Sequence, residues 1–437
     1  MIEFIKNHKK IIYLFIFVIF CIGLGIGLSK ISRSPSVIAS TSPSVIASTS
    51  PSVIASTSPS VIASTTQTPL PIIDNIINPK IFIASENSIS YSEDYKNWGH
   101  RNIPQNSIAN IYSLSSNTDK SLFIIVGSPY SNIVMYSTNC KDWTGIDRPH
   151  DAYGINGSLC SFYSKIINKF IIGFKSVACA LATSSDGISW DYLETEKNIS
   201  NLIDGSSNLP SITSICESEN SKIIVAVGGQ RYSNNIIWSN DSLNWHVALF
   251  SYKDGYNGAQ LFVSSNKSIT YYPSCVVYSN DLNLFIAGCT VQGGLMPGVL
   301  TKSKDGKIWD ILNIQIKSGY TKYFGNIISV TSVFTICWSP ILKLFVASAE
   351  GLTENNKLYF LMTSSDSINW DISFQSQNIK INSIYWSDYF KKFFAVGKDS
   401  NINYKNGSIG IIAYSDDGIN WINSKFGDNS GVSVIGF

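Results

Sequence analysis

The sequence predicts an all-β chain, built from one repeated four-strand unit and closed into a ring. Three observations carry that expectation. The motif S-x-(D/N)-x-x-x-W occurs seven times and uses seven of the ten tryptophans. Between its copies lie short β-branched and alternating apolar runs. In the last unit these are 381–387, 392–397 and 408–415, with a fourth run after Trp421. The second run recurs at 122–127, 169–174, 222–228, 284–288 and 344–348. Finally, the unit ending at Trp98 lacks a first strand, and GVSVIGF at 431–437 is left over. Four-strand repeats of roughly 40–60 residues are propeller blades. The expected fold is therefore a seven-bladed β-propeller of four-stranded blades over residues 72–437, closed by the C-terminal strand. Closure removes the exposed edges that an open array would leave.

The repeated boxes comprise Ser92, Asp94 and Trp98; Ser137, Asn139 and Trp143; Ser184, Asp186 and Trp190; Ser239, Asp241 and Trp245; Ser303, Asp305 and Trp309; Ser364, Asp366 and Trp370; and Ser415, Asp417 and Trp421. A hydroxyl and a carboxylate two residues apart suit a tight turn, because both accept from the turn's own N–H groups. Gly187, Gly306 and Gly418 follow the Asp where a positive φ is expected. Asn139 keeps the acceptor without the charge, so the carboxylate is expected to serve geometry rather than catalysis. The Trp is expected to begin the next strand and pack on a neighbouring sheet.

This motif resembles the Asp-box, or bacterial neuraminidase repeat, of sialidase-like β-propellers, and it covers nearly all of the chain from residue 72. The usual box has five residues from Asp to Trp, whereas here there are four, as from Asp186 to Trp190. The resemblance implies a propeller fold. Sialidase activity would further require an arginine cluster, a Tyr with a Glu, and an acid. Beyond the first 33 residues only Arg101, Arg148 and Arg231 are present.

Upstream, residues 1–10 read as a basic cytoplasmic tail and 11–28 as a transmembrane signal anchor. The 18 uncharged residues are close to the minimum for a bilayer span. Residues 29–71 read as a Ser/Thr/Pro stalk containing four SPSVIAST repeats, with a reach on the order of 120 Å if extended. The basic flank places the N-terminus in the cytoplasm. The propeller is then extracellular or lumenal, on a host-cell or viral surface. The propeller segment carries 27 basic against 29 acidic residues, which argues against nucleic acid as a partner.

Box-to-box spacing runs 45, 47, 55, 64, 61 and 51 residues. The turns between first and second strands and the box turns are all short. The extra residues, as at 246–274 and 310–331, are expected to open on the opposite face, as a binding surface would. Two aromatic loops there supply candidate ligand-binding residues: Tyr252, Lys253, Asp254 and Tyr256, and Tyr320, Lys322 and Tyr323. DRPHDAY offers Arg148, His150, Asp151 and Tyr153 as an acid/base set if the chain is an enzyme.

Cys160, Cys216, Cys275 and Cys337 fall in first strands of different units and read as small buried residues rather than a disulfide framework. No metal-ligand spacing is present, and DSNINYKNG from Asp399 lacks the Gly and Glu of a calcium loop. No cofactor is implied. Asn156, Asn198, Asn240, Asn266 and Asn406 are glycosylation candidates. The function these features favour is a non-enzymatic, membrane-anchored binding or adhesion module. It would take a glycan or protein ligand on its long-loop face. The alternatives are a sialidase-like glycoside hydrolase and a structural surface protein without a dedicated ligand.

Overall fold

Runs such as IIVAVG and LFVAS bury every or nearly every side chain, which a strand manages only with sheet on both faces. The computed structural model satisfies that demand by stacking blades. It describes residues 79–437 apart from 86–87, 105–107, 130–131, 148–156, 176–178, 195–198, 201–210, 230–235, 251–269, 293–299, 313–314, 318–328, 354–356, 401–408, 427–430 and 437. The anchor expected at 11–28 and the stalk expected at 29–71 lie outside the described residues. Among the described residues no helix is long and apolar enough to cross a membrane.

The described residues form an all-β propeller of antiparallel meanders. β1 (Ile81–Ser85), β2 (Ser88–Ser92) and β3 (Gly99–Asn102) open the chain. The meander β4 (Ile108–Ser116), β5 (Phe123–Pro129), β6 (Asn132–Ser137) and β7 (Thr144–Asp147) follows. Next comes β8 (Ser158–Ser164), β9 (Lys169–Phe174), β10 (Cys179–Ser184) and β11 (Asp191–Glu194). The short β12 (Ile199–Ser200) leads to β13 (Ile212–Ser218), β14 (Ile223–Gly228), β15 (Ile236–Ser239) and β16 (Trp245–Val247). After β17 (Leu249–Phe250) come β18 (Thr270–Ser279), β19 (Leu284–Gln292), β20 (Leu300–Ser303) and β21 (Ile308–Leu312). After β22 (Gln315–Lys317) come β23 (Ser329–Ser339), β24 (Leu344–Leu352), β25 (Lys357–Ser364) and β26 (Asn369–Ser376). The last meander is β27 (Ile379–Ser387), β28 (Lys392–Asp399), β29 (Ile409–Ser415) and β30 (Ile422–Phe426). Finally β31 (Gly431–Gly436) returns to pair antiparallel with β1, so the first and last described strands share one sheet.

First strands touch in succession around the axis: β4, β8, β13, β18, β23, β27, then β31, which reaches β4 again. Each of the first six carries a bulge at one equivalent position, leaving Tyr112, Leu159, Thr213, Ser274, Phe334 and Asn382 without a partner in the ladder. The residue facing that bulge is Gly127, Gly173, Gly228, Gly288 or Gly397, with Ser348 in the remaining case. A Cβ on Gly228 would stand 1.7 Å from the Ser211 carbonyl oxygen, so the bulged strand lies where a side chain would be. Hydroxyls stitch the ring together. Thr213 Oγ1 donates to the Ser274 carbonyl at 3.0 Å, and Ser274 Oγ donates to the Val333 carbonyl at 2.5 Å.

The cores lie between blades. Cys160, Ile171 and Leu181 of one meander pack with Ile212, Ile224, Ile237 and Trp245 of the next. Across the seam of the ring, Ile81, Ile83 and Trp98 pack with Phe394, Val396 and Ile412. The six cysteines whose side chains are described are all free, and burial pushes the Cys160 and Cys275 thiols up to about 12.

The boxes form turns of one design. Asp186 Oδ1 accepts from the N–H groups of Ile188 at 2.9 Å and Ser189 at 2.7 Å. The Ser184 hydroxyl donates to the same oxygen and accepts from the Gly187 N–H. The Trp190 indole N–H donates to the Gly187 carbonyl at 3.1 Å, so the Trp closes its own turn as well as packing outward. Asn139 Oδ1 accepts the same pair of N–H groups, from Lys141 and Asp142. The residue after the Asp or Asn has positive φ in all seven boxes, including Tyr95, Cys140, Ser242 and Ser367. At Gly187 a side chain would also press on Leu122 and Ile124 of the preceding meander.

These bonds have a measurable consequence. The backbone N–H groups of Ser189 and Ile188 hold the Asp186 carboxyl down at about 2. A depressed folded pKa means stability that is full above the unfolded value and lost as pH falls through the folded one. The window is therefore about pH 4 down to about pH 2. Asp186→Ala removes the turn's acceptor and should cost about 1 kcal/mol at pH 7. Asp186→Asn keeps the acceptor, as Asn139 does. Its melting temperature should sit closer to that of the wild type at pH 2 than at pH 7. Thermal melts at the two pH values check this, and equal gaps would contradict it.

The turns between first and second strands share the box end of the molecule. Lys165 pairs with Glu219 at 3.2 Å, Lys343 with Asp281, and Lys392 with Asp416. The insertions depart from expectation. They do not all open on the far face, because three of them first run along the outer edge. There β12, β17 and β22 add in parallel to β16, β21 and β26 of the following meander. A fourth strand otherwise presents an unpaired row of N–H and C=O groups, and these segments cover it.

Candidate functional site

Strands run in alternate directions, so the ends of second strands and the starts of third and first strands gather on the face opposite the boxes. There β23, β24, β25 and β27 bring together the most chemically diverse group among the described residues. Glu350 stands on β24, directly opposite Ser332 on one side and Tyr359 on the other. Its carboxylate is mostly buried, with 17% of the side chain exposed. Lys357 Nζ approaches Oε2 at 2.7 Å, and Thr331 Oγ1 donates to Oε1 at 3.2 Å. The Glu350 hydrogen bond raises the Lys357 pKa. One carboxylate is thus held at both oxygens by donors from two different strands.

Aromatic rings form the next layer. Phe334, the bulge residue of β23, lies 6.3 Å from the ring of Tyr359. Lys357 Nζ sits 5.4 Å above the Tyr359 ring, and Lys380 Nζ 3.9 Å above the Phe334 ring. Lys380 is half-buried, and its pKa is lowered chiefly by that burial. A fixed carboxylate, a desolvated ammonium and two aromatic walls can position and polarise a small carbonyl substrate. Among the described residues no group of acids, histidines and cysteines is arranged to hold a metal ion.

Of the residues singled out from the sequence, Tyr252, Lys253, Asp254, Tyr256, Tyr320, Lys322 and Tyr323 lie outside the described residues. So do Arg148, His150, Asp151 and Tyr153, and the sequons at Asn156, Asn198, Asn266 and Asn406. Asn240 is exposed on a box turn. Arg101 is the one arginine among the described residues and is exposed on β3, so no arginine cluster forms there.

Sequence reasoning missed Glu350, Lys357 and Lys380. A signal was present. Two residues beyond the position that is usually Gly in second strands, β24 and β28 carry the acids Glu350 and Asp399. Neither stands in a known motif.

Comparison with known proteins found no matching family model and no matching curated protein. Solved structures do match. A Bacteroides uniformis protein described as a candidate 6-phosphogluconolactonase matches 82% of this chain and 99% of its own, at 10% identity and a TM-score of 0.50. A protein from Lactobacillus plantarum matches with the same coverage and identity and a TM-score of 0.52. The periplasmic gluconolactonase of Pseudomonas aeruginosa matches 80% of this chain at a TM-score of 0.48. At such identities the likeness shows a shared β-propeller scaffold. It also corrects one expectation. The non-enzymatic adhesion module expected from the sequence does not stand, because the propellers matched along four-fifths of this chain include a protein described as a candidate 6-phosphogluconolactonase.

Proposed function

We propose that this propeller is a hydrolase that opens a lactone, a cyclic ester, at the Glu350 site. The observation that carries the reading is a mostly buried carboxylate fixed by Lys357 and Thr331 beside two aromatic rings, on the face away from the box turns. Glu350 takes a proton from a water as that water adds to the lactone carbonyl carbon. The tetrahedral adduct then breaks its ring C–O bond. The ring oxygen receives the proton and leaves as a hydroxyl, so lactone plus water gives one hydroxy acid. A positioned base of this kind contributes on the order of a hundredfold to ten-thousandfold. Thr331 and Lys357 orient the carboxylate, and Phe334 and Tyr359 exclude bulk water from one side.

The test is acid release from γ- and δ-lactones of sugar acids by the purified full chain, followed in a pH-stat. Turnover above the spontaneous rate is expected. No acceleration across the series would end the lactonase reading.

The same proposal includes a seven-bladed ring. In its support, β19 and β23 are joined by the single pair Thr290–Ser332, so the ten-stranded sheet divides naturally into two blades. The short-turn Asp-box relationship rests on the seven equivalent box turns. Anchoring through residues 11–28, with the propeller on the far side of the membrane, rests on the apolar run and its basic flank.

A further inference from the structure

Lys380 and Lys398 are direct partners across β27 and β28. Their side chains therefore leave the same face of the sheet side by side, and like charges so placed repel. Both residues are half-buried. Lys392, also half-buried, pairs with Asp416. Among the described residues neither Lys380 nor Lys398 has a carboxylate within ion-pair distance. Lys380 Nζ lies over the Phe334 ring, and the Glu350 carboxylate acts on it through space without a direct ion pair. Asp399 follows Lys398 in the strand, and alternation sends it to the opposite face. Two adjacent ammonium groups partly removed from water and lacking a direct ion pair are costly to maintain, and a bound oxyanion relieves both repulsion and desolvation.

We propose that Lys380 and Lys398 form a binding site for an oxyanion, a phosphate monoester or a carboxylate carried by the substrate of the Glu350 site. The coupling to turnover rests on the hydrolase reading; the anion site itself does not. Across the Phe334 ring from Glu350, the pair binds the charged tail of the substrate while the lactone ring meets the base. Lys398 is then a specificity residue, selecting charged lactones over neutral ones.

Two measurements on the full chain test this. Thermal melts are run with inorganic phosphate, with gluconate and with chloride at equal ionic strength, on the wild type, Lys380→Gln and Lys398→Gln. Phosphate or gluconate should raise the wild-type melting temperature, and the rise should vanish in both variants. Whichever ion acts identifies the source of the charge. If Lys380→Gln fails to fold, Lys398→Gln decides alone. Turnover is then compared for a phosphorylated and a neutral lactone. Lys398→Gln should raise KM about tenfold for the charged lactone, equal to the loss of about 1.4 kcal/mol, and leave the neutral one unchanged. An equal anion effect in wild type and Lys398→Gln, or no effect of either anion on the wild type, overturns the proposal. Lysine-dependent anion binding without any lactone turnover keeps the anion site and removes the hydrolase reading.

Discussion

A chain shortened by residues 431–437 is expected to lose its cooperative melt. β31 is the inner partner of β1 over Ile81–Ser85 and lies against both β27 and β4. Its loss strips a full row of ladder bonds from β1 and opens the ring between the first and last meanders. Ile81, Ile83 and Trp98 are then uncovered beside Phe394, Val396 and Ile412, a core that is almost wholly inaccessible in the closed ring. Exposing several such side chains, at about 1.5–3 kcal/mol each, is comparable to the total stability of a domain. The aromatic group of Tyr95, Phe390, Phe394 and Tyr414 spans the same seam toward the box end. It does not replace the missing strand. Differential scanning calorimetry of the shortened chain should show no sharp transition. A cooperative melt at the wild-type temperature would mean that the ring does not depend on its C-terminal strand.

On the proposed hydrolase reading, Glu350→Gln is expected to lower lactone turnover by about a hundredfold to ten-thousandfold and to leave the melting temperature nearly unchanged. The amide oxygen still accepts from Thr331, whose hydroxyl also keeps the Glu350 backbone carbonyl as acceptor. The lost ion pair involves a Lys357 side chain that is 52% exposed, and such pairs contribute at most about 1 kcal/mol. What disappears is the proton acceptor. Initial rates and melts on the same preparation separate the two effects. Unchanged rates in Glu350→Gln would remove Glu350 from the reaction.

The repeat was legible in the sequence because each box carries its own structural logic. The Ser and Asp side chains make bonds within five residues, so a local pattern sufficed to place turns. The pairing of β31 with β1 was legible by elimination, from a first unit lacking a strand. A second turn signature went unread. In it a Ser precedes, by four residues, a Lys or Asn at positive φ, as in Ser218 with Lys222, Ser339 with Lys343 and Ser387 with Lys391. The hydroxyl accepts from the N–H three residues on, at 3.1 Å for Ser218 and 3.2 Å for Ser387. The outer course of β12, β17 and β22 was hidden because parallel edge pairing leaves no periodic trace in two or three residues. The Glu350 site was hidden for a different reason. Thr331, Phe334, Glu350, Tyr359 and Lys380 come from four strands, and only the bulge in β23 and the stacking of neighbouring blades bring them together. Attention in the sequence went to long aromatic loops, whereas this group stands on strands.

The most direct test of the central claim is a crystal structure of the full chain with a sugar δ-lactam, a cyclic amide that mimics the lactone and resists hydrolysis. The lactam carbonyl is expected within hydrogen-bond reach of a water held by Glu350, with its ring against Phe334 and Tyr359. A lactam bound at the box end, or on the chain's outer edge away from Glu350, would contradict it.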